Sequence, residues 1–106
     1  MFAYVNRAID FAALNQLTLA IEDLTKAIEI SPDKAIIPWL YRGLYYYQLQ
    51  MYEKTIPDLT KALEKDSLKA FVWSIRGDCY SYLKNKNIDH NISIFTYMFS
   101  FLHNLF

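Results

Sequence analysis

The heptapeptide Asp23-Leu24-Thr25-Lys26-Ala27-Ile28-Glu29 returns 35 residues later as Asp58-Leu59-Thr60-Lys61-Ala62-Leu63-Glu64, with only Ile28 changed, to Leu63. Self-similarity at this period marks a chain built from stacked copies of one supersecondary unit, each too small to cover its own apolar face. The repeat extends upstream, where Tyr4, Arg7, Ala8, Phe11 and Leu14 map at the same spacing onto Trp39, Arg42, Gly43, Tyr46 and Leu49. A shift of 34 carries those five onto Trp73, Arg76, Gly77, Tyr80 and Leu83, so a single insertion falls between Pro32 and Trp39.

Each unit fits a hairpin of two amphipathic helices. In its first half, Tyr4, Ala8, Phe11 and Leu14, and again Trp39, Gly43, Tyr46 and Leu49, recur on one face of a 3.6-residue period. In its second half Ala20, Leu24, Ala27 and Ile28 form a stripe that Ile56, Leu59, Ala62 and Leu63 repeat. Small residues at Ala27, Gly43, Ala62 and Gly77 let backbones approach closely. A glycine inside a helix costs about 1 kcal/mol, so its return at Gly43 and Gly77 points to a packing reason.

The expected helices run from about Phe2 to Leu14, Thr18 to Ile30, Pro38 to Leu49, Glu53 to Lys65 and Lys69 to Leu83. Ser31-Pro32-Asp33 closes the first hairpin and Asp66-Ser67 the second, through proline's missing donor and the turn chemistry of Ser and Asp. Pro57 is read as a first-turn proline of the fourth helix.

These residues resemble the tetratricopeptide repeat over residues 2 to about 84. The matches are Tyr4, Ala8, Phe11, Ala20, Ala27 and Pro32 in the first unit, Trp39, Gly43, Tyr46, Tyr52 and Ala62 in the second, and Trp73, Gly77 and Tyr80 in the third. Thr55 departs from the pattern at a small position, Ser67 replaces the closing proline, and the third unit's second helix aligns poorly. The resemblance implies an all-α fold, a right-handed α-solenoid of stacked antiparallel helix hairpins. It would form a single domain over residues 1–106, with units at about 1–34, 35–69 and 70–106.

Composition narrows the function. Eleven basic and eleven acidic residues cancel and are interspersed, so no basic stripe suits nucleic acid. Cys79 is the single cysteine, which leaves no internal disulfide and fits a reducing, cytoplasmic setting. His90 and His103 lack zinc spacing, and no carboxylate pair, activated nucleophile or glycine-rich phosphate loop is present, so the expectation is no enzyme, no metal and no cofactor.

Residues 92–106 differ from the rest. Ser93, Thr96, Ser100, His103 and Asn104 gather on one narrow side of a helical wheel, with a wide apolar arc opposite. Four readings stand: the second helix of the third unit, a self-association surface using Phe95, Phe99, Leu102 and Phe106, a membrane-surface helix, or part of a longer chain whose next helix would cover it. The segment is too short to span a bilayer, and membrane attachment is disfavoured, with an interfacial helix preferred to a span.

The resemblance also implies a non-catalytic adaptor that holds an apolar or amphipathic peptide in a concave groove lined by the first helix of each unit. Groove candidates are Asn6 and Ile9; Tyr41, Leu44, Tyr47 and Gln48; and Phe71, Ser74, Ile75, Asp78 and Tyr82. Val5 and Leu40 border the same face but are weighed toward packing. Chaperone-binding members hold a terminal carboxylate with lysine, asparagine and arginine, whereas the corresponding places here are Val5, Ile9, Tyr41, Phe71 and Ile75, which disfavours chaperone tails. Arg7, Arg42 and Arg76 adjoin the small core position in each unit and are expected to form ion pairs between units.

Overall fold

A computed structural model describes residues 2–33, 35–66 and 70–86. Helices α1 (Phe2–Ala13), α2 (Leu17–Ile30), α3 (Ile37–Gln48) and α4 (Tyr52–Lys65) follow one another in chain order. Residues 70–86 continue as helix α5. The expected boundaries for α1 to α4 lie within a residue or so of these. Helix α1 packs on α2, α2 on α3, and α3 on α4, with a smaller contact of α1 on α3, the order of a stacked array.

Identical turns join α1 to α2 and α3 to α4. Asn15 and Gln50 each adopt a left-handed conformation with φ of 60°. The next residue then bonds back five positions: Gln16 N–H donates to the Phe11 carbonyl at 2.8 Å and Met51 N–H to the Tyr46 carbonyl at 2.9 Å. This closure satisfies carbonyls at the helix end. It also moves Leu14 and Leu49 off the core stripe expected for them. Both sit in the turn and are exposed, because the helices stop at Ala13 and Gln48.

Pro38 lies in the first turn of α3, where its missing donor costs nothing. Pro57 corrects the first-turn expectation. Helix α4 already begins at Tyr52, so the proline stands inside it, on the exposed side, with the turn before it complete.

Two apolar clusters form the core, and each draws on three consecutive helices. The first joins Val5 and Ala8 of α1, Leu17, Ala20, Ile21, Leu24 and Ala27 of α2, and Tyr45 of α3. The second joins Leu40 of α3, Leu59, Ala62 and Leu63 of α4, and Val72 of α5. The first helix of one unit thus completes the core of the unit before it. Thr55, which departs from the small-residue pattern, is fully buried, with its hydroxyl donating to the Met51 carbonyl at 3.0 Å. Burying a hydroxyl is tolerable only with such a partner. Cys79 is buried as an apolar filler.

Gly43 earns its place by close approach. A Cβ there would stand 2.6 Å from Leu59 Cδ2 and 3.2 Å from the Asp58 Cβ. The equivalent position on α5, Gly77, has nothing among the described residues within 4 Å.

Candidate functional site

Arginine recurs at the same helical position in every unit, and the surroundings recur with it. Aromatic rings three residues before and four after share its helix face. The Arg7 guanidinium lies 5.8 Å from both the Tyr4 and Phe11 ring centres. Arg42 lies 5.3 Å from Trp39 and 5.9 Å from Tyr46, and Arg76 lies 4.5 Å from Trp73 and 5.9 Å from Tyr80. In the first two units the fork also grips a buried aspartate through two parallel bonds. Arg7 Nε and Nη2 donate to Asp23 at 2.8 and 2.6 Å. Arg42 Nε and Nη2 donate to Asp58, both at 2.7 Å. Bidentate geometry makes these strong charge-assisted bonds.

These ion pairs correct the expectation of pairing between units, because each ties the two helices of a single hairpin. What crosses between units is a hydroxyl contact. Arg42 Nη1 donates to Thr25 Oγ1 at 3.2 Å, and Arg76 Nη1 to Thr60 Oγ1 at 3.0 Å. The guanidinium is long enough to reach its own second helix and the one before it. The hydrogen bonds from Arg7 hold the Asp23 carboxyl below the usual aspartate range, and those that Arg42 donates to Asp58 hold its guanidinium above the usual value. The clamps are therefore scaffold, leaving the opposite sides of α1, α3 and α5 for other work.

The expected groove residues divide into two groups. Tyr41 stacks on the buried Tyr45 ring at 6.1 Å and packs against the first core cluster, while Leu44 and Ile75 pack against the second. Those three are half-buried, each with one side against the core. Asn6, Ile9, Gln48, Phe71, Ser74, Asp78 and Tyr82 are exposed, and Tyr47 is half-buried. Val5 and Leu40 are buried core residues.

Tyr47 and Tyr82, one unit apart, are bridged by Tyr52. The Tyr47 and Tyr52 rings lie 5.7 Å apart, and Tyr52 meets Tyr82 edge-on at 4.6 Å. Partial burial beside these rings and Cys79 pushes the Tyr52 phenol up, so its hydroxyl remains protonated and able to donate. Beside the rings is an open hollow of about 290 Å³, lined by Met51, Tyr52, Tyr82 and Leu83 with Glu53, Lys54 and Lys86 among its charged groups. Tyr52 is the residue that groove reasoning missed. It lies on a second-type helix, and the signal that could have found it is its place directly after the Gln50 turn, at the end of the first-helix face.

Phe95, Phe99, Leu102 and Phe106, considered for self-association, lie outside the described residues. Among the described residues no group of three or more His, Cys, Asp or Glu side chains is placed to hold a metal ion, and no helix is long and apolar enough to cross a membrane.

No protein-family model matches the sequence, and no curated protein matches it. Solved structures do match. One is described as the second TPR of Spaghetti (RPAP3) bound to the HSP90 peptide SRMEEVD. The similarity has a TM-score of 0.71 and 23% sequence identity, and covers 81% of this chain and 79% of that one. With the repeated hairpins and their stacking in chain order, this places the chain in the tetratricopeptide-repeat fold, an all-α solenoid of helical hairpins.

Proposed function

We propose that the chain is a protein-interaction module, a single three-unit domain over residues 1–106, that binds an apolar or amphipathic peptide segment along the exposed face of α1, α3 and α5. The observation that carries this reading is the aromatic chain Tyr47–Tyr52–Tyr82, which spans two units and stays accessible beside an open hollow. Tyrosine gives a large apolar contact with a polar tip and few rotatable bonds to order on binding. Exposed Ile9 and Phe71 extend the apolar character, and exposed Asp78 supplies an acid for a basic residue of the peptide.

The structural neighbour's complex with a peptide supports peptide binding as the use of the fold. Its ligand, SRMEEVD, is acidic at its end. The places expected to hold such a terminus are here Val5, which is buried, and Ile9, Tyr41, Phe71 and Ile75, none of which carries a cation. The ligand class therefore differs, with aliphatic and aromatic anchors in place of a carboxylate clamp.

Selection from a random displayed peptide library on the full chain tests the reading. Enriched sequences should carry two or more large apolar residues with a nearby Lys or Arg, and Tyr47→Ala with Tyr82→Ala should weaken them at least tenfold without loss of helicity. Enrichment of acidic sequences, or binding untouched by the tyrosine changes, would remove the groove assignment.

A further inference from the structure

Of the three prolines, at positions 32, 38 and 57, only Pro32 follows a hydroxyl residue, in the run Ser31-Pro32-Asp33-Lys34. A serine followed at once by proline, with a basic residue two places further on, is the target pattern of proline-directed serine/threonine kinases. Proline suits such a target because it brings no N–H for the kinase cleft to satisfy, and it keeps the residue before it out of a helix.

The local structure meets the chemical needs of that pattern. Helix α2 stops at Ile30, and Ser31 leaves it with φ of −144° and ψ of 76°, outside the helical region. Pro32 and Asp33 are exposed and Ser31 is half-buried. The segment is held through its carbonyls: Trp39 Nε1–H donates to that of Pro32 at 3.0 Å, and Lys65 Nζ donates to that of Asp33. Neither contact uses the Ser31 hydroxyl. Ile30 is 56% exposed, so the last turn of α2 can loosen into a kinase cleft with little loss of buried surface.

The repeat supplies a second, independent observation. The position equivalent to Ser31, 35 residues on, is Asp66. The two residues cap their helices alike, Asp66 with φ of −147° and ψ of 92°. Their N–H groups donate to the Ala27 and Ala62 carbonyls at 3.2 and 3.0 Å. The same cap thus carries an anion in one hairpin and a hydroxyl in the other.

We propose that Ser31 is the phosphorylation site of a proline-directed protein kinase, which uses ATP to give the first hairpin the anionic cap that the second holds permanently. The Ser31 oxygen attacks the γ-phosphorus, the bond from that phosphorus to the oxygen bridging the β-phosphate breaks, ADP leaves, and the hydroxyl proton passes to the kinase's base. The helix dipole and the exposed Glu29 oppose the added charge, while Lys65, already bonded to the carbonyl two residues on, offsets them. Phosphorylation therefore marks the junction of the first two units without opening the fold. It stands apart from the peptide groove, since the loop carries none of the Tyr47, Tyr52 and Tyr82 rings.

The test incubates the full chain with a cyclin-dependent kinase and magnesium ATP and locates phosphate by mass spectrometry. One phosphoryl group per chain is expected, on Ser31. It should be lost in Ser31→Ala and largely lost in Pro32→Ala and Lys34→Ala, with melting curves reporting that each variant is folded. NMR signals of the Trp39 indole and the Lys65 amide should move on phosphorylation, and Ser31→Asp should melt within about 4 °C of the parent chain.

Phosphate on other hydroxyls with Ser31 unmodified, transfer only once urea has unfolded the chain, or no transfer at all would overturn the proposal. So would an unfolded Ser31→Asp chain, because the first cap would then be unable to hold an anion.

Discussion

Alanine at Gly43 and at Gly77 should act in opposite directions, although the two glycines occupy the same place in the repeat. Each substitution gains about 1 kcal/mol of helix propensity. At Gly43 the new methyl would lie 2.6 Å from Leu59 Cδ2, 3.1 Å from its Cγ and 3.2 Å from Asp58 Cβ. Leu59 is fully buried and Asp58 is fixed in the Arg42 fork, so neither neighbour can give without parting α3 from α4. Overpacking of that kind costs roughly 1–3 kcal/mol, which leaves Gly43→Ala destabilised by about 0–2 kcal/mol. At Gly77 none of the described residues lies within 4 Å, and the full gain of about 1 kcal/mol remains. A domain of this size moves its melting temperature by about 4 °C or more per kcal/mol. Thermal and urea unfolding of both variants would show Gly77→Ala melting several degrees above Gly43→Ala. A Gly77→Ala variant destabilised as much as Gly43→Ala would refute the reasoning, because it would mean that the α5 face is as closely covered as that of α3.

Four further outcomes follow from the clamps and turns. Arg42→Ala should destabilise by about 3 kcal/mol by leaving Asp58 buried without its partner, and Arg7→Ala by clearly less, since the Arg7 side chain is 56% exposed against 16% for Arg42; urea midpoints give the order. Asp23 has a depressed folded-state pKa, so its contribution is fully present above about pH 4 and is lost as pH falls through the lower folded value. Acid titration of stability should lose that component in Asp23→Asn. Gln50→Gly should raise stability by up to about 1 kcal/mol, because a non-glycine residue at φ of 60° carries the strain that glycine lacks. Burial and the neighbouring Asp78 charge push the Cys79 thiol up, so thiol labelling at neutral pH should be slow until urea unfolds α5.

Most of the helical framework was legible because repetition and hydrophobic period report the same unit twice. The stripe Ala20, Leu24, Ala27 and Ile28 is buried as read, and Pro38 opens α3 as its chemistry requires. The failures have local causes. Leu14 and Leu49 fit the helical period but fall in turns, since Asn15 and Gln50 take a left-handed conformation that their side chains do not advertise as glycine would. The arginine pattern announced a repeated ion pair without saying which helix held the acid. A spacing of sixteen, Arg7 to Asp23, fits a hairpin partner, but only the packing of α1 on α2 decides it. Groove residues were harder still. Tyr41, Leu44 and Ile75 share a helix side with exposed residues, and whether such a side chain points into the solenoid or out of it depends on how the next unit stacks. Tyr52 reads in the sequence as part of the repeat pattern and not of the groove, because it reaches the site from α4, the helix that supplies Thr55, Asp58, Leu59, Ala62 and Leu63 to the interior.

Binding of an apolar segment on the α1–α3–α5 face is tested most directly by titrating the isotope-labelled full chain with two peptides. One is SRMEEVD, and the other is an amphipathic peptide with aromatic and aliphatic anchors and one lysine, taken from the library selection. The account predicts saturable shifts at Ile9, Tyr47, Phe71, Asp78 and Tyr82 with the amphipathic peptide, and none with SRMEEVD at the same concentrations. Tighter binding of SRMEEVD, or shifts that avoid these residues, would contradict it.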